Sequence, residues 1–95
     1  MLFVTSKDNS NVKKAVKLKS SAKERRKSGL FLAEGLRICM DAVFSGAEIQ
    51  TLFVTEKAMQ KHGEDFALLE EKAKNVICVN EHIFAVMSDT QSREG

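Results

Sequence analysis

The chain has 95 residues, 43 % of them hydrophobic, and a formal net charge of +2. That length suits one domain and leaves no room for two, and its apolar share supports a core without staples; with only two cysteines and no long apolar span, a disulfide scaffold and a membrane-spanning segment are excluded, and the chain reads as soluble and intracellular. The small net charge hides a division: residues 1–37 carry ten Lys or Arg against three acids (Asp8, Glu24, Glu34), a surplus of +7, and residues 38–95 carry five against ten, a surplus of −5.

Met1-Leu2-Phe3-Val4 is too short for a signal, and a transit peptide fits poorly because the early cations are mostly Lys and Asp8 intrudes. Thr5 to Ser10 offers several N-cap residues, and Val12, Ala15 and Val16 recur at helical spacing, which predicts a first helix over about residues 10–20. Lys13, Lys14 and Lys17 fall away from that apolar stripe and form a basic face. From Ser20 to Gly29 the chain is polar and dense in positive charge, an exposed connector or a short polar helix stopped by Gly29. Leu30-Phe31-Leu32-Ala33 is a short continuous apolar run, which suits a strand buried on both faces of a parallel sheet. Leu36, Cys39, Met40 and Val43 share a helical face ended by Gly46. Ile49–Thr55 is the second predicted strand, Glu56–Lys74 is helical with a division at Gly63, and Val76–Val79 is the third strand. Asn80 then caps a short helix containing Ile83, Phe84 and Met87, which stops at Ser88-Asp89-Thr90. The polar tail Gln91–Gly95 reads as the point where a longer protein continues or a further strand begins. Strands alternating with helices imply an α/β three-layer sandwich with a small, mostly parallel sheet.

The basic N-terminal third carries the most functional information. Lys13, Lys14, Lys17, Lys19, Lys23, Arg25, Arg26 and Lys27 are what an RNA phosphate backbone requires, while the same charges also fit a merely solvated helix face. A membrane surface is disfavoured because the helix lacks a large exposed apolar face. Glu34-Gly35, at the carboxyl end of a predicted central strand, offers a carboxylate for a ribose hydroxyl or base edge; more often such a Glu caps the next helix, with Arg37 pairing with Asp41. Cys39 and Cys78 sit in apolar runs and read as small buried hydrophobes, and His62 and His82 stand alone, so no metal is expected. The five glycines are isolated, and no phosphate loop, dinucleotide fingerprint or nucleophile with its base is present, so catalysis has no sequence support.

Taken in order, Thr5-Ser6-Lys7-Asp8-Asn9, Val12-Lys13, Lys17-Leu18, Gly29-Leu30-Phe31-Leu32-Ala33-Glu34-Gly35 with Arg37, Leu52-Phe53-Val54-Thr55 and Ser88-Asp89-Thr90 resemble the substrate-binding domain of SpoU/TrmH-type RNA 2'-O-ribose methyltransferases. The resemblance covers nearly the whole chain, and the Phe-Leu-x-Glu-Gly element after a basic connector carries most of it. It implies an α/β fold similar to kink-turn-binding ribosomal proteins, and RNA contacts from Lys7 and Asn9 besides the basic helix and connector, with Glu34 and Arg37 at the strand-to-helix turn. It further implies a knotted catalytic domain downstream of Gly95 that binds S-adenosylmethionine and through which the parent enzyme forms a homodimer. The expected partner is structured RNA in the cytoplasm, ribosomal RNA before transfer RNA. After Ser88-Asp89-Thr90 the family commonly has a Pro-Gln-Gly segment, and here Gln91–Gly95 has no proline. Two other classes fit the residues: a stand-alone ribosomal or kink-turn RNA-binding protein without enzymatic activity, and a protein-interaction domain using the acidic stretch with Glu64, Asp65, Glu70 and Glu71.

Overall fold

The computed structural model describes residues 1–88, so the expected stop at Asp89-Thr90 and the reading of the tail fall outside the described residues. Within them the order is β1 (Leu2–Val4), α1 (Ser10–Ser20), α2 (Ala22–Ser28), α3 (Leu36–Phe44), β2 (Ile49–Val54), α4 (Glu56–Lys61), α5 (Gly63–Lys72), β3 (Ala73–Val79) and α6 (Glu81–Ser88). The three strands form one parallel sheet in the order β1-β3-β2, with Leu2 opposite Ile77 and Phe53 opposite Ile77 on the other side.

Period-two alternation divides the core into two layers around that sheet. Val4, Ile77 and Val79 face α1 and α6, where they pack with Val12, Ala15, Ile83 and Met87. Leu52, Val54 and Cys78 face the opposite way, against Phe66 and Leu69 of α5 and the partly buried Leu36, Cys39, Met40 and Val43 of α3. The fold is therefore the expected α/β sandwich, α1 and α6 on one face and α3, α4 and α5 on the other. Leu69, Ile83, Val12, Val54 and Val79 are its largest fully buried side chains, each contributing roughly 1.5–3 kcal/mol of burial.

Local chemistry explains the element ends. Asn9 Oδ1 accepts from the backbone N–H groups of Asn11 at 2.8 Å and Val12 at 3.3 Å, starting α1. Ser21 accepts from Glu24 N–H, Thr55 from Ala58 N–H and Asn80 from Ile83 N–H, so α2, α4 and α6 begin on the same device. At the end of α3, Gly46 N–H donates to Val43 and Ala47 N–H to Ala42, a Schellman closure that requires the positive φ of 93° found at Gly46.

Two expectations are corrected. Leu30–Ala33 is not a strand: it is irregular, with Phe31 67 % exposed, and the third strand is the unanticipated Leu2–Val4. Among the described residues the order β1-β3-β2 leaves the outer edge of β2 unpaired, and the Leu30–Ala33 run, with Leu32 packed against the layer of Val4, Ile77 and Val79, lines a cavity beside that edge and does not pair with it. Glu34 consequently does not end a central strand, a place held by β3. The basic stretch after Ser20 settles as a helix, α2, which buries no side chain.

Candidate nucleic-acid interface

Helices α1 and α2 carry the cations, and their exposure follows from the residues they bury. α1 puts Val12, Ala15 and Leu18 into the core, which leaves Lys13, Lys14 and Lys17 in water. α2 displays Lys23, Arg26 and Lys27 at one-turn spacing, all exposed. Lys17 Nζ lies 3.4 Å from Glu24 Oε1, so one carboxylate marks the place where the two helices meet. Lys7 is exposed in the turn before α1, whose backbone is set by Asn9 N–H donating to Ser6 O and Asp8 N–H to the Ser6 hydroxyl.

Besides Lys17, four of the residues expected to touch RNA are engaged within the fold. Arg25 Nη1 donates to Leu18 O at 2.7 Å and Lys19 O at 3.0 Å, satisfying carbonyls that the end of α1 leaves open. Lys19 Nζ reaches Glu34 Oε1 at 2.6 Å, Met87 O at 3.3 Å and Ser88 O at 3.2 Å, where the negative end of α6 favours a cation. Asn9 spends its side-chain oxygen on the α1 cap. Glu34 does not cap α3, whose N-cap is Gly35 without a side-chain bond, and Arg37 and Asp41 form no ion pair, the pairs among the described residues being Lys17–Glu24 and Lys19–Glu34. Arg37 stands exposed on the first turn of α3.

A cavity of about 320 Å³ opens beside the Leu30–Gly35 segment, lined also by residues of α1, α3, α5, α6 and β2. Asn11 and Lys14 of α1, Phe31 and Glu34 of the segment and Phe84 of α6 line it. In the sequence Phe84 reads as one more apolar residue of a core pattern, whereas Phe31 opens the Phe-Leu-x-Glu-Gly element that follows the basic connector.

The thiols are poor nucleophile candidates. Burial pushes Cys39 above the usual thiol range, and burial together with the Glu56 carboxylate pushes Cys78 up, partly offset by a Glu56 backbone hydrogen bond. Among the described residues no cluster of three or more His, Cys, Asp or Glu side chains could hold a metal ion, and no helix is long and apolar enough to cross a membrane.

The family model of the MRM3-like substrate binding domain matches residues 9–95. Comparison with curated proteins and with solved structures gives no match. The match spans most of the chain and includes both basic helices and the Glu34-Gly35 turn, so the chain belongs to the MRM3-like substrate binding domain family, the N-terminal, RNA-binding part of SpoU-family RNA methyltransferases.

Proposed function

We propose that this domain delivers an S-adenosylmethionine-dependent RNA 2'-O-ribose methyltransferase to structured RNA, with ribosomal RNA favoured over transfer RNA. The observation that carries the reading is the set of exposed cations on two adjoining helices, Lys13, Lys14 and Lys17 on α1 with Lys23, Arg26 and Lys27 on α2. Such a surface meets a polyphosphate backbone by electrostatics first and leaves selection to shape and unpaired bases. Lys7 and Arg37 extend it, whereas Lys19, Arg25, Asn9 and Glu34 support it from within.

The cofactor does not fit the described residues. The glycine turns at Gly29, Gly35 and Gly46 are separate, and no buried polar side-chain atom among those residues is left without a partner to receive a ligand. On this reading methyl transfer and the homodimer contact of the parent enzyme belong to a separate catalytic domain, and this one contributes binding and orientation. Displacement of a labelled ribosomal RNA fragment by the unlabelled fragment, by transfer RNA and by random duplex tests the assignment. Preferential displacement by the ribosomal fragment supports it; equal displacement by all three removes the claim of substrate selection.

A further inference from the structure

Phe31 is 67 % exposed and Phe84 37 % exposed, and both line the cavity beside the Leu30–Gly35 segment. Two aromatic rings held open to solvent forgo burial that the core offers other apolar residues. They are contributed by different elements, the irregular segment after α2 and the helix α6. From α1, Asn11 and Lys14 reach the same cavity, three positions apart and therefore on one helix face. At about 320 Å³ the space is at the small end of ligand pockets, which run from about 300 Å³ upward. It suits one planar group better than a peptide segment; Lys14 is the cation of its lining, and of the two carboxylates there, Glu34 and Glu48, the first is paired with Lys19 at 2.6 Å, which leaves Lys14 to meet an anionic group.

Aromatic faces stack on any nucleobase, a lysine at the rim meets the attached phosphate, and a side-chain amide hydrogen-bonds a base edge. We propose that this cavity receives one unpaired nucleotide of the bound RNA, its base stacked on Phe31 and Phe84 and its phosphate held by Lys14. The inference rests on the RNA-binding reading and adds a place where a base leaves its own stack.

The test uses the 95-residue chain with two RNAs, a hairpin carrying 2-aminopurine at one loop position and a blunt duplex of the same stem, each with a fluorescein at one end. Anisotropy reports binding, and 2-aminopurine fluorescence reports stacking of the loop base. The expected result is quenching of the loop base by the wild-type protein. Phe31→Leu and Phe84→Leu each abolish the quench and weaken hairpin binding roughly tenfold, with duplex binding unchanged. Phe31 is so exposed that Phe31→Leu remains folded, and it decides the matter if Phe84→Leu does not. A hairpin that binds by anisotropy without any quench, or a quench that survives both substitutions, overturns the base pocket and leaves RNA binding standing. Failure of the wild-type chain to bind either RNA overturns the RNA-binding reading, and the pocket with it.

Discussion

Lys19 Nζ lies 2.6 Å from Glu34 Oε1, joining residues fifteen positions apart, and the same ammonium reaches the last carbonyls of α6. This one side chain ties α1, the Leu30–Gly35 segment and α6 together. Its replacement by methionine leaves the Met87 and Ser88 carbonyls and the Glu34 carboxylate without that partner, and should cost about 1–3 kcal/mol in urea unfolding. Glu34→Gln should cost less, because its side chain is 46 % exposed and the α6 bonds of Lys19 remain. If Lys19→Met lowered RNA affinity with unfolding unchanged, Lys19 would be a contact residue and not a tie.

Arg25 and Arg26 are neighbours with opposite assignments. Arg25→Ala removes the donor to Leu18 O and Lys19 O and should lower stability by about 1–2 kcal/mol. Arg26→Ala, at an exposed position, should leave unfolding within about 0.5 kcal/mol and instead weaken RNA binding, reducing the salt slope by about 0.7 to 0.9. Thermal melts and salt titrations of the two variants give crossed results on this account and parallel results if the two arginines do the same job.

Gly46 and Gly63 separate backbone conformation from space. A Cβ would meet nothing within 4 Å at either site, but Gly46 has a φ of 93° and Gly63 is not left-handed. Gly46→Ala should therefore destabilise by about 1–2 kcal/mol, and Gly63→Ala, at the start of α5, should be neutral or stabilise by up to about 1 kcal/mol. Chemical denaturation midpoints decide between them.

Cys78 makes the fold sensitive to alkali. Its folded-state pKa is raised by burial and by Glu56, so the folded chain holds its proton to a higher pH than the unfolded chain does. Stability is then full below the ordinary thiol pKa and falls as pH rises from about 8.5 through the folded value. Cys39, raised by burial, adds a loss of the same sign. Urea midpoints should drop as pH rises above about 8.5, with a shallower drop in Cys78→Ala. An unchanged pH dependence in that variant would place the effect elsewhere.

Helix α1 was legible residue by residue, because a side-chain cap and a repeating apolar stripe are local features that the chain states directly. The α3 stop at Gly46 and strand β2 were legible for the same reason. Leu30–Ala33 misled because a four-residue apolar run has no period, and whether it pairs with a sheet edge is decided by packing that no local pattern reports. Leu2–Val4 was overlooked for the converse reason, its strand character existing only through the pairing with Ile77 to Val79. At the site, the exposed lysines of α1 follow from helical periodicity, yet Lys19 and Arg25 look like their neighbours in sequence. Only the folded arrangement shows that they reach carbonyls of other turns.

The most direct test of RNA binding through α1 is a salt-dependent anisotropy titration of the wild-type chain against Lys13→Glu/Lys14→Glu/Lys17→Glu, with circular dichroism to establish that the variant is folded. The account predicts wild-type affinity that falls steeply with salt and a variant that binds more weakly, its logarithmic slope lower by about 0.7 to 0.9 for every phosphate the variant no longer neutralises. Equal affinity and equal slope in a folded variant would contradict it, and would mean that these lysines are a solvated surface.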